Sequence, residues 1–240
     1  MSGLLLPLFL LVLLILVSCI IWRNNARKYI SSVTVASAYD AWTQDKLLER
    51  LWGEHIHLGF YPLRKKNIDF RKAKVQFVHE LVKWGGLDKL PKGSRILDVG
   101  CGIGGSSRIL AKYYGFNVTG ITISPAQVKR ARELTPSGLS CNFQVMDALD
   151  LKFEDGSFDA IWSVEAGAHM NDKNRFADEM LRTLRPGGYF ALADWNSRDL
   201  GAYPPSFFEK LVLKQLLEQW VHPNFISINE FGNILRTNKN

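Results

Sequence analysis

Cysteine is scarce in this chain. Cys19, Cys101 and Cys141 are the only three in 240 residues, they sit in unrelated settings, and no C-x-x-C occurs. That excludes a disulfide framework and favours a reducing compartment. Histidine is almost as rare. His55-x-His57 is the one close pair and nothing beside it completes a ligand set, so no metal site is expected. Charge of one sign is not heavily dominant: the net charge is +7, with 22% charged residues. No recognisable nucleic-acid reading module accompanies the basic residues, so no nucleic-acid partner is expected. The apolar content of 47% argues against wholesale disorder, and the length allows one sizeable domain with appendages.

Long apolar runs are absent except at the start. Leu4 to Trp22 is 19 residues without a charge. As a helix it would span about 28 Å, close to the ~30 Å hydrocarbon core. A cleaved signal peptide would normally open with Lys or Arg, and Met1-Ser2-Gly3 has neither. Leu16-Val17-Ser18-Cys19 has the form of a lipoprotein cleavage box, but Ile20-Ile21-Trp22 continue the apolar run past it. The expectation is a single transmembrane anchor over residues 1–28. Arg23, Arg27 and Lys28 would hold the remainder on the cytoplasmic face, with Arg64-Lys65-Lys66 and Arg71, Lys72 and Lys74 near anionic headgroups.

Residues 29–66 read as a cap segment: a helical region from Val33 to Arg50, then Trp52-Gly53-Glu54-His55-Ile56-His57-Leu58-Gly59-Phe60-Tyr61-Pro62. That mixture makes poor regular structure and suits a loop lining a site, although a lid on the core with solvated histidines is the plainer reading. Phe70 to Trp84 has helical spacing, and Gly85-Gly86 ends it.

The centre of the chain is Arg95-Ile96-Leu97-Asp98-Val99-Gly100-Cys101-Gly102-Ile103-Gly104-Gly105, an apolar strand running into four glycines and then a helix. Such a turn brings bare backbone N–H groups against a ligand. The spacing satisfies G-x-G-x-x-G, a weak signal for a dinucleotide. Two features oppose that ligand. Asp98 precedes the turn, where a pyrophosphate gains nothing from a carboxylate. The next strand, Asn117 to Ser124, ends without the acid that usually meets a ribose hydroxyl. The amino group and sulfonium of S-adenosylmethionine (SAM) suit Asp98 better.

Ile96 to Gly105 resembles motif I of the class I SAM-dependent methyltransferases. Asn142 to Ala148, Asp155 to Glu165 and Leu184 to Asp194 resemble that family's third, fourth and fifth strands in order. Trp52 to Gly59, Gly120 to Gln127 and Trp162 to Met170 are similar to its tocopherol-pathway group. The resemblance implies an α/β, Rossmann-like doubly wound sheet over 67–198, preceded by the transmembrane helix. It implies SAM as cofactor, held by Asp98 and the backbone of Gly100, Cys101, Gly102, Gly104 and Gly105. Thr122, Ser124 and Gln127 would serve the ribose and carboxylate, and Asp147 and Ala148 the adenine. Thr122 and Ser124 could instead cap the helix at Pro125, Asp147 could be a turn residue, and Asp159 reads as structural.

The implied reaction is C-methylation of a prenylated benzoquinol in the bilayer. Glu165 and His169 would sit near the methyl group, and His169, His57 and His55 are candidate bases with suitable pKa. Competing readings are a tocopherol- or sterol-type SAM methyltransferase and a membrane-tethered SAM-binding protein without chemistry. Phe207 to Trp220 and Ser227 to Leu235 have helical patterns, and 199–240 reads as the start of a helical cap. The family's last two strands have no sequence to form them, so the expectation is either a shortened product or fragment, or a fifth strand left as an open edge.

Overall fold

The computed structural model describes residues 5–24, 28–62, 67–201 and 203–238. Its elements in chain order are α1 (Leu5–Asn24), α2 (Ser32–Gln44), α3 (Leu47–Trp52), α4 (Phe70–Trp84), β1 (Arg95–Val99), α5 (Gly105–Tyr114), β2 (Asn117–Thr122), α6 (Pro125–Leu134), β3 (Cys141–Val145), β4 (Phe158–Val164), α7 (Lys173–Thr183), β5 (Leu184–Ala193), α8 (Phe207–Trp220) and α9 (Ile228–Thr237). The helices start where capping chemistry allows it. Asp69, Ser124, Asp172, Ser206 and Ser227 each accept an N–H of the first turn, and Pro125 opens α6 with its missing donor where none is needed. The expected helix from Val33 to Arg50 is two helices instead. Lys46 adopts φ 55°, a left-handed conformation that no helix interior can contain, and the chain breaks there.

The strands form one parallel sheet in the order β3-β2-β1-β4-β5. Central β1 is flanked on both sides, and Ile96, Leu97 and Val99 are fully buried, as a parallel sheet covered on both faces requires. Ile96 and Trp162 face α4 and α5 through Val82 and Leu110; Leu97, Val99 and Ile161 face α7 through Phe176 and Met180. Each such side chain contributes roughly 1.5–3 kcal/mol, which fixes the register. The pairing of β4 with β5 jumps between Phe158 and Ala160, and the proline–glycine turn at 185–188 forms the bulge. There a Cβ on Gly188 would approach the Asp159 carbonyl to 2.8 Å. Asp159 itself accepts from Arg95 N–H at 2.7 Å and pairs with Arg185 at 2.8 Å, a structural tie. Strand order reverses between β1 and β4, and open α/β sheets bind ligands at the carboxyl ends of such strands.

The transmembrane expectation is corrected. Among the described residues no helix is long and apolar enough to cross a membrane. The single-pass placement and the cytoplasmic orientation drawn from it are therefore withdrawn. Arg27 and residues 64–66 of the basic clusters lie outside the described residues.

Candidate active site

The carboxyl ends of β1, β2 and β4 open into a cavity of about 320 Å³, roofed by α2 and by the segment between Trp52 and Leu58. Asp98, Gly100, Cys101, Gly102, Gly105, Thr122, Gln127, Asp147, Ala148, Glu165, His169 and His57 all line it. Ser124 and Gly104 are not among its lining residues.

The glycine turn is built by backbone geometry. Gly100, Gly102 and Gly104 have φ of 75°, 55° and 82°, which side-chain-bearing residues rarely adopt. A Cβ on Gly100 would collide with that of Ala166, whereas one on Gly102 would meet nothing nearer than Gln127 Nε2 at 4.0 Å. The first glycine is needed for packing, and the second leaves room that a ligand can fill. Gly104 caps α5 from outside the cavity. Asp98 is 2% exposed; burial pushes its carboxyl up to about 7, against the opposing bond from Ser107 Oγ at 2.5 Å.

Thr122 Oγ1 donates to Gln127 Oε1 at 2.7 Å, so the two form a unit facing the cavity. Ser124 is fully buried and serves as the cap of α6, donating at 2.5 Å to Asp40 of α2, which also accepts from Ala126 N–H at 3.1 Å. Asp147 accepts from Leu149 N–H at 2.9 Å, as a turn residue does, and still borders the cavity.

On the opposite side the polar groups are arranged in pairs. His57 Nδ1–H donates to the Leu58 carbonyl at 2.7 Å, so its Nε2 is an acceptor; His55 Nδ1–H fills it at 3.1 Å, leaving the lone pair of His55 on Nε2. Burial holds His57 down to about 4 and His55 to about 3, the latter helped by His57 and Arg108. These histidines are neutral and paired, not solvated. His169 Nδ1–H donates to the Val221 carbonyl at 3.3 Å, and Nε2 accepts from Tyr39 Oη at 2.9 Å. Burial lowers its pKa to about 4. Glu165, in left-handed backbone at φ 53°, accepts the Leu58 N–H at 2.9 Å and a side-chain bond from Trp195. Burial raises its carboxyl above the usual range. The polar atoms of His169, His57 and Glu165 thus serve Tyr39, His55 and Leu58.

The roof segment is pinned by Arg108 to Glu54 at 2.6 Å, and by buried Lys74, whose Nζ donates to the His55 and Trp52 carbonyls at 2.7 and 3.3 Å. Several cavity groups carried no local signal in the sequence: Tyr29 before α2, Tyr39 within it, and His222 after α8. Trp162 Nε1 and His222 Nδ1 are buried polar atoms with no hydrogen-bond partner among the described residues. Native interiors satisfy most such atoms, and here both belong to residues lining one cavity.

A parallel sheet in this order, a glycine turn after a buried acid and a cavity at the switch point define a Rossmann-like methyltransferase. A family model described as a methyltransferase domain matches residues 97–192. The chain is 57% identical over 232 residues to a 2-methyl-6-phytyl-1,4-hydroquinone methyltransferase from Synechocystis sp., covering 95% of this chain and 72% of that one. It is 36% identical over 203 residues to a chloroplastic tocopherol O-methyltransferase of Arabidopsis thaliana, covering 80% of this chain and 58% of the relative. Among solved structures, a geranyl diphosphate C-methyltransferase from Streptomyces coelicolor in complex with S-adenosyl-L-homocysteine superposes with TM-score 0.68. It is 22% identical, over 87% of this chain and 78% of that one, a likeness of fold. The chain belongs to the class I SAM-dependent methyltransferases, in their tocopherol-pathway group.

Its cofactor is S-adenosylmethionine. The cavity fits that group on its own chemistry: a buried carboxylate for an ammonium, the vacant space at Gly102, and an unpaired indole N–H on the strand position in register with Asp98.

Proposed function

We propose that this chain methylates a ring carbon of a prenylated 1,4-hydroquinone. The observation that carries the reading is the 57% identity, across nearly the whole chain, to an enzyme named for such a substrate. The cavity supports it: apolar groups such as Val35, Leu149, Leu216 and Trp220 face a set of neutral imidazoles and a phenol.

SAM supplies a methyl group on a positively charged sulfur. In this reading Asp98 takes its ammonium, the backbone of Gly100, Cys101 and Gly102 its methionine portion, the Thr122–Gln127 unit the ribose, and Asp147 with the Ala148 backbone the adenine. Ser124 and Gly104 are given structural roles instead of contacts. Carbon methylation forms one C–C bond, breaks the methyl–sulfur bond and releases the ring proton. The chain must therefore orient the ring and raise its electron density. His55 Nε2, set in that tautomer by His57 and the Leu58 carbonyl, accepts a hydrogen bond from a ring hydroxyl and so raises the ring's electron density. Tyr39, held by His169, orients the ring, and the ring proton passes on to solvent after transfer. Glu165 positions the Leu58 end of the relay. Orientation and exclusion of water supply most of the acceleration.

The test is transfer of labelled methyl from SAM to 2-methyl-6-phytyl-1,4-hydroquinone, with a chromanol as the comparison acceptor. Methylated hydroquinone supports the reading. Turnover confined to the chromanol, or SAM binding without turnover on either, overturns it.

A further inference from the structure

Two independent features of α8 and the residues just after it remain unused. The first is His222, 8% exposed, whose Nδ1 has no partner among the described residues while the ring stacks on His169 at 4.0 Å between centroids. In the Nε2–H tautomer that nitrogen carries a lone pair, in a residue that lines the cavity. The second is a stripe along α8. Phe208, Val212, Leu216 and Trp220 recur every four residues and so share a slowly turning face about 18 Å long. Leu216 and Trp220 line the cavity, whereas Val212 and Phe208 are 65% and 75% exposed. No residue of α8 is buried. A hydroxyl acceptor and an apolar track thus begin at the same place, and the track runs from the cavity to the surface.

We propose that this wall binds the methyl acceptor: His222 Nδ1 accepts one ring hydroxyl, and the Trp220–Leu216–Val212–Phe208 stripe carries the isoprenoid tail outward. A 1,4-hydroquinone has two hydroxyls at opposite ends, and His55 and His222 each offer one lone-pair nitrogen. The inference rests on the hydroquinone reading for its ligand. It adds which residues tell a tailed ring from a bare one.

The experiment measures binding of two probes to the full chain by calorimetry under reducing conditions, with S-adenosylhomocysteine present: 2-methyl-6-phytyl-1,4-hydroquinone and tail-less methylhydroquinone. The unsubstituted chain is expected to bind the tailed probe at least about tenfold more tightly. Val212→Asp and Phe208→Asp change exposed side chains and should each reduce that ratio several-fold with an unchanged melting temperature. His222→Ala should weaken both probes by one common factor and keep the ratio; His222→Asn, which returns an acceptor near the Nδ1 position, should recover part of the loss. Equal affinity of the unsubstituted chain for both probes overturns the proposal. So does an aspartate variant that leaves the ratio intact but changes the sedimentation of the chain, since the face would then be a contact between copies. A tailed probe that binds with the expected ratio yet receives no methyl leaves the wall standing and removes the hydroquinone methylation instead.

Discussion

The Glu165 carboxylate accepts the backbone N–H of Leu58 at 2.9 Å, joining the end of β4 to the roof of the cavity across more than a hundred residues. The same Leu58 offers its carbonyl to His57, so one residue fixes both the roof and the tautomer of the histidine relay. Glu165→Ala should leave Leu58 N–H without its partner and loosen the roof. The expected result is faster amide exchange over residues 52–58 and a several-fold higher KM for the acceptor, with SAM affinity nearly unchanged. An equal loss of SAM affinity would place Glu165 on the cofactor instead.

Asp98 sets stability against function. Its carboxyl is raised by burial to about 7 in the fold, against an ordinary value of 3.8. An acid with a raised folded pKa costs stability as pH climbs from about 4 to 7, and the cost is complete above 7. Asp98→Asn keeps a partner for Ser107 and removes the buried charge. It should stabilise the ligand-free chain by about 1–3 kcal/mol at pH 8, with the gain gone below pH 4. SAM affinity should fall at least about tenfold. Denaturant melts with and without SAM read both effects; a variant less stable at pH 8 would contradict the argument.

The buried histidines work the other way. His55, His57, His169 and His222 are held down to about 3 or 4, chiefly by burial, against an ordinary value of 6.5. Their contribution is present above pH 6.5 and lost as pH falls toward 4. Asp98 and Asp194, both raised to about 7, oppose them in the same window. Near pH 5.5 four imidazoles outweigh two carboxyls, so unfolding should take up about one to two protons. Stability measured between pH 5 and 6.5 should rise with pH; a fall would mean the imidazoles are charged in the fold.

Tyr39 and His169 should behave as one unit. Tyr39→Phe and His169→Gln each break the bond at 2.9 Å, and each should lower kcat by about three- to tenfold without changing SAM affinity. The double variant should be no worse than either single one. Additive losses would separate the two residues.

The sheet and its glycine turn were legible because they obey local rules. An apolar run into Gly100, Gly102 and Gly104, the capping residue Ser124, and helical spacing over 70–84 and 207–220 are properties of neighbouring residues. The cavity floor followed from them. What could not be read was which polar atom reaches which partner. Asp40 meets the start of α6 from 84 positions away, and Tyr39 meets His169 from 130 away. Nothing at either end announces the other. Ser124 illustrates the cost: its position suggested both a ligand contact and a cap, and only packing with Asp40 separates them. His222 lies in a stretch without a motif, and its unpaired nitrogen is visible only once its surroundings are. The apolar start of the chain misled in another way, since composition alone measured a span that the described helix does not support.

The contact of Asp40 with Ser124 and Ala126 has a consequence for timing. It bolts α2, part of the cavity roof, to the helix that follows β2, before any small molecule arrives. Fixing a backbone residue costs about 1–2 kcal/mol, and the bolt charges that cost to folding instead of to each encounter. The roof then behaves as a standing door frame, its geometry set by folding and not by each encounter.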